Sequence, residues 1–159
     1  EKWNNAISQL EQAIRIHPKK YPDYHFAMGH CQNKTGNFQE SVNSLIRFIN
    51  FRPSNIKGWK EIIIVLFENG YYEEAFHECD TAFRMTGGKT IFTYFKSAIF
   101  FKLGKRKEGL ALLENAISRA PRLLKEFISM DPAFLQRPSI VKVINNHLKT
   151  KGKSKKKDK

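Results

Sequence analysis

The chain has 159 residues, 41% apolar and 13% aromatic, enough for a packed core in one domain or in several stacked units. Its longest apolar run, Ile62 to Phe67, is far short of the roughly 20 residues that a bilayer requires, so membrane insertion is not expected. The formal charge of +13 divides into +6 on residues 149–159, with seven Lys and one Asp, and +7 on the rest. Such a balance attracts polyanions without specificity, and solvation of exposed helix faces accounts for it at least as simply.

Residues 1–18 read as a helix with Trp3, Ala6, Ile7, Leu10, Ala13 and Ile14 on one stripe, stopped by Pro18. The first residue falls inside that pattern and the helix lacks a preceding partner, so the chain is expected to be the C-terminal fragment of a longer protein. Residues 22–55 give a helix carrying His25, Met28, Gly29 and Gln32, a turn at Gly36, and a second helix with Phe38, Ser41 and Leu45, closed by Pro53. Residues 56–89 repeat the order: Trp59, Ile62, Ile63 and Leu66, a turn at Gly70, then Tyr72, Ala75, Cys79 and Ala82, closed by Gly87. Here Gly87-Gly88 replaces a proline, which is expected to loosen the junction. Residues 90–123 repeat it again around Gly104, with Arg106, Gly109, Leu113 and Ala116 in the second helix and Pro121 at the end.

In this last hairpin, Ile91 to Leu103 is apolar nearly all round, and two registers stay open. Counted from Gly104, the core slots include Lys96 and Ser97; shifted by one, they hold Tyr94, Ser97, Ala98 and Phe101. Beyond Pro121 the pattern changes. Arg122 to Met130 reads as a short helix ended by Asp131-Pro132, and Pro138 opens another with Ile140, Val141, Ile144 and Leu148 on one face. Residues 124–148 are expected to form capping helices over the last hairpin, and the lysine-rich 149–159 a disordered tail.

Gly36, Gly70 and Gly104 are 34 residues apart, and Pro18, Pro53, Gly87 and Pro121 follow at 35, 34 and 34. Two interleaved breaker series of one period mean a repeated helix–turn–helix. With the small residues at the helix crossings and Trp59, this pattern resembles the tetratricopeptide repeat over about three quarters of the chain. The resemblance implies an all-α fold, an α-α superhelix: a right-handed solenoid of antiparallel helix pairs with a C-terminal helical cap. It also implies a non-enzymatic scaffold that binds a protein or peptide in a concave groove lined by the first helices. The side chains expected there are Asp23, Phe26, His30 and Asn33, then Lys57, Lys60, Ile64 and Phe67. In the last hairpin they are Tyr94 and Phe101 with Ile91 and Ala98, or Phe92, Phe95 and Ile99 in the other register. Aromatic anchors flanked by lysines suit a peptide with apolar and acidic residues. The carboxylate clamp of chaperone-binding relatives is missing: its positions hold Phe26 and His30, Glu61, and Tyr94 and Ala98.

Other constellations are weak. Gly87-Gly88-Lys89-Thr90 resembles the end of a phosphate-binding loop, but Phe83 stands where that loop needs glycine and a helix precedes it. His25, His30 and Cys31, or His77 with Cys79, lack converging metal-ligand spacing. Glu73, Glu74, Glu78 and Asp80 read as a solvated helix face, and no nucleophile–base pair stands out. No catalytic residue, cofactor or metal is therefore expected. The isolated Cys31 and Cys79 read as buried reduced residues, which fits a cytoplasmic setting. Two further readings stay open: nonspecific nucleic-acid association through the basic surface and tail, and a homodimer through the unpaired helix around Trp3, Ile7, Leu10 and Ile14.

Overall fold

The computed structural model describes residues 2–17 and 21–154, with side chains as far as His147. Nine α-helices account for most of the described residues, and none of these residues lies in a strand: α1 (Lys2–Ile16), α2 (Pro22–Lys34), α3 (Phe38–Phe51), α4 (Ile56–Glu68), α5 (Tyr72–Met85), α6 (Thr90–Lys102), α7 (Arg106–Arg119), α8 (Leu124–Met130) and α9 (Pro138–Ser154). Short 3-10 turns, Pro121–Leu123 and Pro132–Gln136, flank α8. None of the described helices is long and apolar enough to cross a membrane. Pro18, the first of the expected breakers, lies outside the described residues. The chain divides into two compact units, Glu1–Gly87 and Gly88–Lys159. The division falls inside the Gly87-Gly88 pair, both of positive φ.

The turns of the three hairpins are one device used three times. Gly36, Gly70 and Gly104 hold φ of 80°, 82° and 75°, a left-handed conformation that costs a residue with a Cβ about 1–2 kcal/mol. No neighbour lies within 4 Å of a Cβ built on any of them. Backbone handedness alone therefore requires glycine there. After each, the next amide donates back across the helix end: Asn37 N–H to Gln32, Tyr71 N–H to Leu66 and Lys105 N–H to Phe100. This six-to-one bond closes the last turn of the helix.

In the first unit, α2 packs on α3, α3 on α4 and α4 on α5, with α1 laid against α2. Leu45, Ile62, Ile63, Val65, Ala75, Cys79 and Ala82 are fully buried between them. Gly29 lets α3 approach closely: a Cβ there would sit 2.6 Å from Leu45 Cγ. Trp59 is buried and donates its indole N–H to the Pro53 carbonyl at 2.7 Å, while the Asn55 side chain caps α4 by accepting from Gly58 N–H. Cys31 and Cys79 are buried thiols, neither in a disulfide; burial raises the Cys31 pKa.

In the second unit, α6 is held between α7 and α8, and α9 lies on α7. α6 turns out to be buried toward two different neighbours. Toward α7, Ser97 donates its hydroxyl to the Gly109 carbonyl at 2.7 Å, and Ser41 does the same to Gly29 in the first hairpin, also at 2.7 Å. Glycine and serine have changed sides between equivalent positions, and the close crossing is kept. Toward α8, Tyr94 and Phe101 meet Phe127. The last helix extends beyond the expected limit at Leu148 to Ser154. Residues 149–154, expected as disordered tail, are thus helical, and 155–159 lie outside the described residues.

Candidate peptide-binding face

In the first unit, two side-chain contacts bridge α2 and α4. Lys57 Nζ stands over the Phe26 ring, 4.7 Å from its centroid, and Phe26 packs at 5.2 Å on Phe48 of α3. One turn on, His30 Nδ1 lies 3.0 Å from Glu61 Oε1, and Trp3 of α1 meets the His30 ring edge-on at 5.8 Å. Phe26, His30, Asn33, Lys60, Glu61 and Ile64 are half-buried and Lys57 is exposed. Aromatic, cationic and anionic groups therefore lie side by side, each with part of its surface still open. That is a surface able to take an apolar side chain against a ring and acidic groups against Lys57. Asp23 takes a different part. Its carboxylate accepts two bonds from Arg52, at 3.1 and 2.9 Å, in an exposed fork that ties the start of α2 to the end of α3.

Three expected groove residues need correction. Phe67 is buried and packs edge-on against Tyr72 at 5.4 Å, so it belongs to the α4–α5 interface. Tyr94 and Phe101 are buried as well. So are the residues of the other register, Phe92, Phe95 and Ile99, together with Ile91 and Ala98. For Tyr94 and Phe101 the reason is the segment after Pro121. Phe127 of α8 contacts Tyr94 and Phe101, Phe134 contacts Phe101 at 5.6 Å, and the Phe127 and Phe134 rings stack at 4.8 Å. Tyr94 donates its hydroxyl to the Ala120 carbonyl at 3.0 Å, and burial pushes its pKa up to about 12. Arg137 lies over both Phe101 and Phe134. Lys102 meets Asp131 at 2.6 Å. The hydrogen bond from Lys102 holds the Asp131 carboxyl below its ordinary range, against the opposing effect of burial. The chain thus covers Tyr94 and Phe101 of its last hairpin with its own aromatics.

A further feature escaped the sequence reading. Glu11, Arg15, His25, Gln32, Ser44 and Arg47 line a polar recess of about 460 Å³ where α1 and α3 flank α2. One period later, the residues matching His25 and Gln32 are Trp59 and Leu66, both buried. Polar replacements at those two positions were the available signal. His25 is buried and stacks on Phe51, and Gln32 accepts from the Ser44 hydroxyl at 2.8 Å. Among the described residues, no group of three or more His, Cys, Asp or Glu is placed to hold a metal ion.

No protein-family model and no curated relative matches the sequence. Solved structures do match its fold. A MamA crystal structure aligns over 97% of this chain and 91% of its own, with a TM-score of 0.67 and 15% identity. A tetratricopeptide repeat protein from Parabacteroides merdae aligns over 94% of this chain and 60% of its own, with a TM-score of 0.68 and 14% identity. TTC0263, a thermophilic TPR protein of Thermus thermophilus, aligns over 92% and 82%, with a TM-score of 0.59 and 16% identity. The fold is accordingly all-α and of the tetratricopeptide-repeat type.

Proposed function

We propose that the chain is a non-enzymatic interaction scaffold that binds a peptide segment of a protein partner on the α2–α4 face of its first unit. The observation that carries this reading is the row in which Lys57 stands over Phe26 and His30 meets Glu61 across two helices, all four still accessible to solvent. The fold supports it, because helical repeats present first-helix side chains as extended binding surfaces. The chemistry of the row supports a ligand with an apolar anchor and acidic neighbours, in extended or helical form. In the second unit Tyr94 and Phe101 are covered by Phe127 and Phe134, so the proposal is confined to residues 22–68.

The test starts from affinity capture with the whole chain as bait, followed by titration of the captured partner's isolated peptide. Phe26→Ala and Lys57→Ala, on the half-open row, are expected to weaken binding by about 1–3 kcal/mol each, in the range of interface anchors. Binding unchanged in the double variant, with helicity intact, would exclude this face. Phe67→Ala is unsuitable, because its ring is part of the helix packing.

A further inference from the structure

The structural division of the chain is also a division of charge. Residues 1–87 hold 10 Lys/Arg against 10 Asp/Glu, a balance of zero, and residues 88–159 hold 18 against 5, a balance of +13. The whole excess therefore lies in the second unit. The tail does not account for it, since residues 88–148 alone hold 11 Lys/Arg against 4 Asp/Glu.

Part of this charge is gathered at the two ends of α7. Lys105, Arg106 and Lys107 are exposed where the helix begins; Arg119, Arg122 and Lys125 are exposed where it ends and α8 starts. Helix stability does not account for the first group, because the dipole favours acids rather than cations at that end. The exposed acids of α7, Glu108 and Glu114, are outnumbered. From Arg106 to Arg119 the helix rises about 20 Å, roughly the span of six phosphates along one strand of a duplex. Lys105 and Arg119, nearly four turns apart, fall within about 40° of each other around the axis.

We infer that the second unit is a nucleic-acid-binding module that engages the phosphate backbone through the two cationic clusters of α7. A regular polyanion neutralises both clusters without needing a shape-matched surface. An anionic membrane fits less well: among the described residues of this unit, Leu135 is the large apolar side chain left exposed, so an inserting edge is lacking. The contact is electrostatic and independent of sequence, since phosphate contacts carry no sequence information. It is separate from the peptide face of the first unit, and either can fail without the other.

The test is fluorescence anisotropy of the whole chain with a labelled 20-nucleotide RNA and a 20-base-pair DNA, measured across a salt series. Three variants are compared, each checked by circular dichroism. They are Lys105→Gln/Arg106→Gln/Lys107→Gln, Arg119→Gln/Arg122→Gln/Lys125→Gln, and all seven lysines from Lys149 to Lys159 replaced by Gln. With six body contacts the log–log salt slope on duplex is about −5 before the tail contributes, and either triple variant flattens it by about 2.7. Each triple variant is expected to lose at least tenfold in affinity near 0.1 M salt. Three results would overturn the inference: no binding at low salt, triple variants that bind like the parent while the tail variant loses everything, or phosphatidylserine vesicles or polyglutamate binding as tightly as nucleic acid at the same salt.

Discussion

Replacing Phe127 by alanine is the most direct perturbation of the internal cover. The ring is fully buried, stacks on Phe134 at 4.8 Å and touches Tyr94 and Phe101. Phe→Ala at such a site removes about 3–5 kcal/mol through lost transfer energy and the remaining cavity, including the share from aromatic geometry. Small domains have only about 5–15 kcal/mol in total, so the variant loses a large fraction of what holds α8 to α6. Phe127→Leu keeps most of the volume and is expected to cost far less, about 1–1.5 kcal/mol. Urea unfolding followed by helix signal gives the stability difference. Limited proteolysis gives the local one, with new cleavage expected between 123 and 137 in Phe127→Ala. If Phe127→Ala unfolds within about 1 kcal/mol of the parent and gains no cleavage there, α8 does not pack as described, and Tyr94 and Phe101 return as groove candidates.

Gly29→Ala improves helix propensity by about 1 kcal/mol, yet its Cβ would lie 2.6 Å from Leu45 Cγ and 3.0 Å from the Ser41 carbonyl; a net loss of about 1–3 kcal/mol is expected in the same urea assay. Asp131 has a pKa below its unfolded value, so it stabilises the fold above the unfolded pKa, near 4, and that contribution fades as pH falls through the lower folded value. Asp131→Asn should therefore lower stability at neutral pH and flatten the acid limb of a stability–pH curve; an unchanged limb would remove Asp131 from the account. Tyr94→Phe should cost about 1 kcal/mol for the bond to Ala120. Because the folded phenol titrates near 12, the parent should lose stability above the unfolded value near 10, and Tyr94→Phe should lack that loss in an alkaline unfolding series.

What could be read from the sequence was what the backbone decides locally. Gly36, Gly70 and Gly104 mark turns because left-handed residues disfavour a Cβ, a property that needs no partner. The stripe through Trp59, Ile62, Ile63 and Leu66 marks a buried face because 3.6-residue periodicity is intrinsic to the helix. That Phe26, His30, Lys60 and Ile64 are half-buried, with Lys57 exposed, follows from the same periodicity, since repeat register places them beside the core stripe. Three things waited for the tertiary structure. The register of α6 could not be chosen because α6 is buried toward α7 by Ser97 and toward α8 by Tyr94 and Phe101, and periodicity assumes one buried side. Tyr94 and Phe101 could not be withdrawn from the groove because the residues that cover them, Phe127 and Phe134, are about 30 residues away in sequence and carry no repeat signal. The recess around His25 and Gln32 opened only once α1 and α3 stood on either side of α2. Each depends on contacts between segments that local propensity does not relate, and burial of side chains by distant partners is a property of the packed chain alone.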